Sequence, residues 1–401
     1  MKVPVRKELA GNFYGSYLIG NEEIKEVTEV LKSQSIFRYY GPNLLGKTDR
    51  FEQDLMKFHN VQYALGVSSG TAALKCALKA LGVGTGDEVI VPAYGFIATA
   101  GSVVSCNAIP IFCDVDTSLN LDPYDLERHI TNRTKAIIVV HIMGVAANMT
   151  HIKSIADKYG IPIIEDVAQS FGGSYKGKRL GVIGDVGCFS FQANKILSTG
   201  EGGALITNNE KLYKRAKIYH DQGAVRIGNS FPNWNDESFF GENYRMNEIT
   251  AAIGIAQLKK IPTMLNKLKR QKLLLRKIIN RCDINYRSSW DDNGDCGISE
   301  CFFVEDLDKR DEIIKKLREL GINAHGYYSC AVYENKLFLN ISDKYNYLDK
   351  QIDSEKKNRY KTGDCPKAEK LSRQAVWIPI SPLYSDDDIK YIGEILKKYV
   401  T

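Results

Sequence analysis

The sequence predicts an α/β protein with a mostly parallel seven-stranded sheet, helices on both faces of that sheet, and a smaller C-terminal α+β domain. Short apolar runs alternate with helix-like segments over the first half of the chain. Most of these runs are continuous stretches of Val, Ile and Phe, which is typical of strands covered on both faces. After residue 282 the alternation gives way to a weakly patterned, tyrosine-rich region, which favours a separate, smaller unit.

Seven strands and several helices account for the alternation. The predicted strands are Tyr63–Val67, Glu88–Val91, Ile109–Asp114, Ala136–His141, Pro162–Glu165, Val186–Phe191 and Gly203–Thr207. The predicted helices are Glu22–Ser33, Thr71–Leu81, Ile97–Ser105, Asn148–Tyr159 and Glu210–Tyr219. A long helix over Asn247–Cys282 follows, with an interruption near Pro262, because proline lacks the backbone donor that a helix interior uses.

The C-terminal part is predicted to be mixed α and β. Its elements are a strand at Cys301–Val304, a helix at Arg310–Leu320, a polar surface loop or insertion over Asn340–Cys365 and a last helix near Asp387–Tyr399. A chain of 401 residues exceeds one ordinary core. We therefore expect a large domain over residues 1–250 and a smaller one over residues 251–401.

Composition narrows the class of protein. The net charge of +6 is spread along the chain without a basic stripe or a reader motif, so nucleic acid is not an expected partner. The nine cysteines include no Cys-x-x-Cys pair, and Cys113 and Cys188 lie in apolar runs, which favours reduced thiols in a cytoplasmic protein. No metal-ligand spacing and no membrane-spanning apolar run is found, so neither a metal site nor a membrane location is expected.

The first chemical motif is Ser69-Gly70-Thr71, directly after a strand and at the start of a helix. Small residues let backbone amides approach an anion, and the helix N-terminus adds partial positive charge, so the motif predicts a phosphate site. An ordinary capped helix start is the alternative.

Two further motifs carry ionisable groups. Asp166 closes an apolar strand at the edge where open α/β sheets bind ligands, and there it could face a cationic ring nitrogen. A helix cap is the alternative for this residue. Lys195 follows another strand and precedes a glycine-rich turn, so it could form an imine with a cofactor aldehyde. A solvated lysine is its alternative.

Three other segments carry weaker signals. The polar run Gly241–Glu248, ahead of a small-residue helix start, could serve a site or simply form a loop. The glycines of Gly82–Asp87 follow a helix and precede a strand, the reverse of a dinucleotide fingerprint, so they predict a turn. His141, alone at a strand end, could line the site, but a structural role is favoured.

Two longer patterns are specific. Ser-Phe-x-x-x-Lys-x-x-x-x-Gly-Glu-Gly-Gly runs from Ser190 to Gly203, and Asn-Tyr-Arg-Met-x-Glu runs from Asn243 to Glu248. In these patterns the chain resembles the sugar aminotransferases of the DegT/DnrJ/EryC1/StrS family, fold-type-I enzymes that depend on pyridoxal 5'-phosphate (PLP). The resemblance extends from about residue 22 to the closing segment Ile378–Leu383 and beyond it to the end of the chain.

The resemblance implies roles for individual residues. Lys195 would hold PLP as a Schiff base, and Asp166 would pair with the pyridine nitrogen. Asn243 matches a residue that reaches the phosphate from the partner subunit, which implies a homodimer with shared active sites. The implied cofactor-binding residues are Ser69, Gly70, Thr71, Phe96, Asp166, Gln169, Ser190, Lys195 and Asn243.

The chain departs from the family pattern in three places. Gln192 stands where histidine is usual, and Asp221-Gln222-Gly223 stands near a usual His-Gly pair. The run Ser35–Tyr40 replaces a glycine-rich pattern and is closer to the branch that acts on keto-sugars without a nucleotide. Oxidised octulosonates, 3-oxo-sugar phosphates and inososes are such acceptors, and a nucleotide-linked keto-sugar is the alternative.

The expected reaction is ping-pong transamination from glutamate or glutamine to a ketone or aldehyde of a sugar, with Lys195 and Asp166 as catalytic residues. A PLP-dependent sugar dehydratase is disfavoured, because such relatives carry histidine where Lys195 stands. The intact set of candidate residues disfavours a catalytically silent regulatory relative. The sequence has no dinucleotide-binding fingerprint, and this argues against a nicotinamide-dependent oxidoreductase.

Overall fold

The central sheet has seven strands. A computed structural model of the chain describes residues 9, 11–226, 231–280, 283–339 and 360–400. Its first nine strands are β1 (Tyr63–Val67), β2 (Glu88–Pro92), β3 (Ile109–Cys113), β4 (Thr134–Val140), β5 (Ile163–Asp166), β6 (Ser174–Tyr175), β7 (Lys178–Arg179), β8 (Val186–Ser190) and β9 (Gly203–Thr207). β6 and β7 form a separate hairpin, and the other seven make one sheet. Every strand predicted for the first half of the chain is present, with ends within two residues of the prediction.

The order of the sheet is β1-β9-β8-β5-β4-β2-β3. β9 runs antiparallel to β1 and β8, while the remaining neighbours are parallel, as predicted. β5 and β8 are adjacent and parallel, so their carboxyl ends meet at one edge. This arrangement brings the ends of two chemically interesting strands together.

Twelve α-helices surround the sheets in the described part of the chain. They are α1 (Asn21–Ser33), α2 (Lys47–His59), α3 (Gly70–Ala80), α4 (Ile97–Ser105), α5 (Pro123–Leu126), α6 (Met149–Tyr159), α7 (Glu210–His220), α8 (Glu248–Ile278), α9 (Leu307–Glu319), α10 (Lys336–Leu339), α11 (Pro366–Gln374) and α12 (Asp386–Tyr399). None of these helices combines the length and the apolar composition needed to cross a bilayer.

Helices cover both faces of the central sheet. Along β4, Ile137 and Val139 belong to one buried hydrophobic cluster, while Ile138 and Val140 belong to another. Successive side chains of a strand point to opposite faces, so the two clusters lie on opposite sides of the sheet. This explains the continuous apolar runs from which the strands were predicted.

The predicted interruption of the long helix near Pro262 is wrong. α8 continues through Pro262 without a break. Ile261, Met264 and Leu265 beside the proline are buried, and this packing holds the segment helical although one backbone hydrogen bond is lost. Residues 281 and 282 at the predicted end of this helix lie outside the described residues.

A second, antiparallel sheet lies in the C-terminal part. It consists of β10 (Asn285–Tyr286), β11 (Ser299–Phe303) and β12 (Ala375–Pro379), with β11 in the centre. Phe302 belongs to the first hydrophobic cluster and Trp377 to the second, so this sheet packs against both. The division into domains at residues 250 and 251 stays a prediction.

The predicted surface loop Asn340–Cys365 is corrected at its end. Residues 340–359 lie outside the described residues, but Tyr360 and Cys365 are buried. The hydroxyl of Tyr360 donates to the carbonyl oxygen of Pro110 at 2.6 Å, at the strand β3. The apolar surface of β3 draws this end of the stretch inward, which the polar composition of the whole stretch concealed.

Candidate active site

The candidate site begins at the N-terminus of α3. Ser69 is the cap residue, and its hydroxyl oxygen accepts a hydrogen bond from the amide of Ala72 at 3.0 Å. A Cβ placed on Gly70 would lie 2.7 Å from Cβ of Ser190, the last residue of β8. Only glycine therefore lets the helix start come this close to β8. The helix-cap alternative holds for Ser69, and it is compatible with an anion cradle formed by the same turn.

Asp166 lies at the end of β5 and is 5% exposed. Its Oδ2 accepts a hydrogen bond from the hydroxyl of Thr99 at 2.9 Å, and its Oδ1 accepts one from the amide of Ala168 at 3.1 Å. Burial raises the pKa of this carboxyl group above its ordinary value, while the two donors oppose the rise. No helix starts at Asp166 in the described chain, so the alternative of a helix cap is wrong.

Lys195 lies in the connection between β8 and β9. Its amide donates to the carbonyl oxygen of Gln192 at 2.9 Å, and its own carbonyl oxygen accepts a hydrogen bond from the amide of Gly15 at 3.0 Å. Burial lowers the pKa of the ammonium group, and the negative charge of Asp166 opposes that change. The side chain is partly buried and lines two cavities, so the alternative of a solvated lysine is wrong.

The two cavities adjoin each other, and they are named here the inner and the outer cavity. The inner cavity contains the cradle at Gly70, the carboxyl group of Asp166 and the amine of Lys195. The outer cavity shares a wall with it and opens towards the N-terminal segment and the C-terminal part. The residues that line both are Phe96, Ala168, Gln169, Gln192 and Lys195.

Eight of the nine implied cofactor residues meet in the inner cavity. They are Ser69, Gly70, Thr71, Phe96, Asp166, Gln169, Ser190 and Lys195. Phe96 is 56% exposed and lines both cavities. The roles of these residues stay predictions, because geometry alone does not assign them.

The ninth residue, Asn243, lies elsewhere. It is exposed, pairs in a single bridge with Asp221, and lines neither cavity of its own chain. This position leaves the side chain available to another subunit.

Of the three departures from the family pattern, only Gln192 lies at the site, where it lines both cavities. Arg38, in the run Ser35–Tyr40, is buried and donates to Glu52 at 3.0 Å. Asp221 forms ion pairs with Arg226 and Arg245. In the described chain, therefore, these two departures form buried ionic contacts and do not line either cavity.

Several residues of the site were not found from the sequence. Thr99 on α4 donates a hydrogen bond to Asp166, and the hydroxyl of Tyr328 accepts one from Nε2 of Gln169 at 3.2 Å. The side-chain oxygen of Gln169 also accepts a hydrogen bond from the amide of Met143 at 3.1 Å. The other unforeseen residues of the outer cavity are Asn12, Tyr14, Asn194, Ile196, Ile298 and Tyr327.

His141 has the structural role that the sequence favoured. It is fully buried, and its Nδ1 accepts a hydrogen bond from the amide of Ala147 at 3.1 Å. The hydrogen is therefore on Nε2, which lies 3.0 Å from a carboxylate oxygen of Glu165. Glu165 also accepts three backbone hydrogen bonds, from Gly181, Ile183 and Gly184.

One group of possible metal ligands was not visible from spacing. Ligand atoms of Cys113, Asp125 and His129 lie within 4.8 Å of one another. His129 and Asp125 already pair at 2.8 Å, and Asp125 also accepts the amide of Asp114 at 2.8 Å. These hydrogen bonds account for the cluster without a metal ion, and the expectation of no metal site stays a prediction.

A model of the DegT/DnrJ/EryC1/StrS aminotransferase family matches residues 18–397. The chain belongs to this family. The match confirms the predicted family and the predicted class of enzyme, an aminotransferase.

Two curated relatives of this family member match over part of their length. One is a GDP-perosamine synthase of Escherichia coli O157:H7, 41% identical over 232 residues, which are 58% of this chain and 62% of that protein. The other is an L-glutamine:2-deoxy-scyllo-inosose aminotransferase of Streptomyces paromomycinus, 36% identical over 244 residues, which are 59% and 57% of the two chains. In both comparisons the chain spans about three fifths of the relative.

A solved structure matches the family member over nearly its whole length. It is an aminotransferase from Psychrobacter cryohalolentis, with a TM-score of 0.83, 28% identity and 98% coverage of both chains. This likeness and the mostly parallel seven-stranded sheet confirm the predicted fold, that of the fold-type-I PLP transferases.

Proposed function

We propose that this chain binds PLP in the inner cavity and transfers an amino group from glutamate or glutamine to the ketone or aldehyde of a sugar. The single observation that carries the proposal is the meeting of Lys195, Asp166 and the Gly70 cradle in one cavity. An amine, a buried carboxyl group and an anion cradle are the three groups that a phosphorylated pyridine aldehyde needs.

The residues fit PLP at each end. The close approach of Gly70 and Ser190 leaves the N-terminus of α3 open to a phosphate, with the Thr71 and Ser190 hydroxyls nearby. At the other end, Asp166 is held by two donors and could pair with a ring N–H, which would keep the carboxyl group ionised. Gln169 would face the ring hydroxyl, and Phe96 would cover one face of the ring.

PLP, when bound, supplies the electron sink that allows a proton to leave the α-carbon of the donor. Lys195 would hold PLP through Nζ, and the same nitrogen, once free, would carry the proton that leaves the α-carbon. The lowered pKa of Lys195 favours the neutral amine that this task requires. Asp166 would keep the ring nitrogen protonated.

The outer cavity is the proposed binding site of the sugar. Beside Lys195 the cavity is lined by aromatic rings and hydrogen-bonding groups, from Tyr14, Asn194, Tyr327 and Tyr328. Such a lining suits the ring of a polyhydroxylated sugar. The names of the two relatives indicate one nucleotide-linked and one nucleotide-free sugar chemistry. Both remain acceptor classes for this chain, and the departure at Ser35–Tyr40 favours the nucleotide-free class.

The proposal includes a homodimer in the cytoplasm. The exposed position of Asn243 supports its role at the phosphate of the partner's site. The eight described cysteines are free thiols, which is typical of proteins in a reducing compartment and supports a cytoplasmic location.

The proposal is tested by reduction with borohydride. The protein saturated with PLP is reduced and digested, and the labelled peptide is sequenced by mass spectrometry. We expect the pyridoxyl group on Lys195 in the wild type and no covalent label in Lys195→Ala. Label on a different lysine of the wild type would overturn the assignment.

A further inference from the structure

The outer cavity has little charge. Apart from Lys195, every described residue that lines it is uncharged at neutral pH, and tyrosine, asparagine and glutamine dominate the lining. Such a lining binds hydroxyl groups but offers no counter-charge to a carboxylate or a phosphate. An acceptor with an anionic group would need cations beyond this cavity.

A second groove adjoins the outer cavity and supplies cations; it is named here the basic groove. The two share Asn12 and Tyr327, whose side chains form a hydrogen bond of 3.2 Å. The remaining residues that line the basic groove are Arg310, Arg318, His325, Gly326 and Ser329. No acidic residue is among those lining residues, although Arg310 is paired with the neighbouring Asp311.

Both arginines of the basic groove are fixed by backbone oxygens. Arg318, in the last turn of α9, donates from Nε to the carbonyl oxygen of Ala324 at 2.7 Å, and its two terminal nitrogens have no protein partner in the described chain. Arg310 donates from Nε and Nη2 to the carbonyl oxygen of Ala375 at 3.3 and 3.1 Å. A Cβ on Gly326 would lie 1.6 Å from Nη2 of Arg310, so glycine at this position makes room for the guanidinium group.

His325 adds an unsatisfied group. The backbone amide of His325 donates to the carbonyl oxygen of Trp377 on β12 at 3.0 Å, and the backbone amide of Trp377 donates to the carbonyl oxygen of His325 at 2.8 Å. Its Nε2 is buried and has no hydrogen-bond partner in the described residues. A buried ring nitrogen without a partner is costly unless a ligand or water completes it.

We propose that the basic groove binds an anionic group, a carboxylate or a phosphate, of the acceptor sugar. The carbonyl of that sugar would reach Lys195 through the outer cavity, with Asn12 and Tyr327 at the junction of the two sites. The inference rests on the proposed function and narrows it, because it selects sugar acids and sugar phosphates over neutral inososes. Arg318 provides the free donors, and Arg310 adds positive charge.

The test is calorimetric titration of the protein saturated with PLP, so that the cofactor cradle is filled. The ligands are glucose 6-phosphate, glucuronate and glucose. We expect one or both anionic sugars to bind about tenfold or more tightly than glucose, because charge-assisted hydrogen bonds are strong. The anion that binds more tightly identifies the chemical class of the acceptor.

Three variants locate the binding. Arg318→Gln removes a cation, and Ser329→Glu adds a negative charge at an exposed residue of the basic groove without removing a cation. Each substitution should weaken the binding of the anionic sugars about fivefold or more and leave the affinity for glucose unchanged. Arg270→Gln, which removes an exposed ion pair between Arg270 on α8 and Asp386 on α12, is the matched control and should leave both affinities unchanged.

Three results would overturn the inference. The first is equal affinity for glucose and both anionic sugars, and the second is an equal loss of affinity in the control variant. The third is a higher KM for glutamate in Arg318→Gln with unchanged binding of both anionic sugars, because the basic groove would then serve the donor. Failure of the protein to bind PLP would instead contradict the proposed function, so the two failures are distinguishable.

Discussion

The hydroxyl of Thr99 donates a hydrogen bond of 2.9 Å to Oδ2 of Asp166. Both residues are buried, and Thr99 lies in the first turn of α4, 67 residues before its partner. The bond favours the ionised carboxylate, in opposition to burial, which favours the neutral acid. Thr99 therefore helps to keep Asp166 ready to pair with a cationic ring nitrogen.

Replacement of Thr99 by valine should impair catalysis while the shape of the core is kept. Thr99→Val removes the donor, so the pKa of Asp166 should rise and the acid limb of the pH profile of kcat/KM should move to higher pH. A hydrogen bond to a charged group is worth about 1.5–3 kcal/mol, so we expect about a tenfold or greater loss of kcat/KM. Thr99→Ser keeps the hydroxyl and should stay near the wild type. An unchanged acid limb in Thr99→Val would show that Thr99 does not act through Asp166.

Replacement of Gly70 by alanine should weaken cofactor binding. The new Cβ would lie 2.7 Å from Cβ of Ser190, so α3 or β8 must shift and the cradle must change shape. Overpacking of this kind costs about 1–3 kcal/mol, which corresponds to a loss of PLP affinity of about fivefold to a hundredfold. Fluorescence titration with PLP measures it. Gly101→Ala on α4, where a Cβ meets nothing within 4 Å, is the control. Equal affinities in the two variants would contradict the cradle.

The sequence was sufficient to predict the central sheet, because its strands carry their own signal. The central residues of the buried strands β2 and β9, 89–91 and 204–206, are apolar, and such short runs can be recognised without knowledge of distant partners. The helix α2 went unpredicted, and its buried positions include Lys47 and Glu52, which obscure the apolar pattern. The break predicted at Pro262 was wrong for a related reason. The packing that keeps α8 helical comes from segments distant in the sequence.

The candidate site was predictable only where a residue belongs to a local motif. Lys195 and Asp166 stand in recognisable sequences, so both were found. Tyr328 lies 159 residues from Gln169, which donates to its hydroxyl, and nothing in the surrounding run marks this tyrosine among its neighbours. Contacts between distant segments depend on the folded structure, and a pattern within one segment does not contain them.

Subunit exchange tests the shared site. Lys195→Ala and Asn243→Asp should each be inactive alone, but mixed dimers should regain activity. If Asn243 serves the partner's site, a hybrid dimer has one site with both defects and one with neither. When equal amounts of the two variants are mixed, unfolded and refolded together, half of the dimers should be hybrids with one intact site. The mixture should therefore regain about a quarter of the wild-type rate. Absence of any recovery, with hybrids verified by mass spectrometry, would contradict the shared site.

His59 should make the fold sensitive to acid. Its ring lies among those of Phe58, Phe171 and Phe189, at centroid distances of 5.0, 5.4 and 4.8 Å, and neither ring nitrogen has a partner in the described residues. Burial, helped by the positive charge of Arg179, lowers the pKa of His59 from 6.5 to about 3.

The sign of the pH effect follows from these values. Between pH 6.5 and about 3 the unfolded chain binds a proton at His59 that the folded chain does not bind, so the free energy of unfolding falls as the pH falls. The slope from this group reaches about 1.4 kcal/mol per pH unit. His59→Leu should remove that part of the slope in urea unfolding between pH 4 and 6.5. His151→Gln, at an exposed histidine, should retain it. If the free energy of unfolding depended on pH with the same slope in the wild type and in His59→Leu, His59 would not be the source of the acid sensitivity.

The central claim is that nitrogen passes from an amino acid to a sugar through the site at Lys195. The most direct measurement uses glutamate or glutamine labelled with ¹⁵N on its α-amino group, a panel of keto- and aldehyde-sugars, and mass spectrometry of the products. We predict an amino-sugar that carries the label, formed by the wild type and absent with Lys195→Ala. A sugar product with one oxygen fewer and no label would contradict transamination and establish the dehydratase alternative.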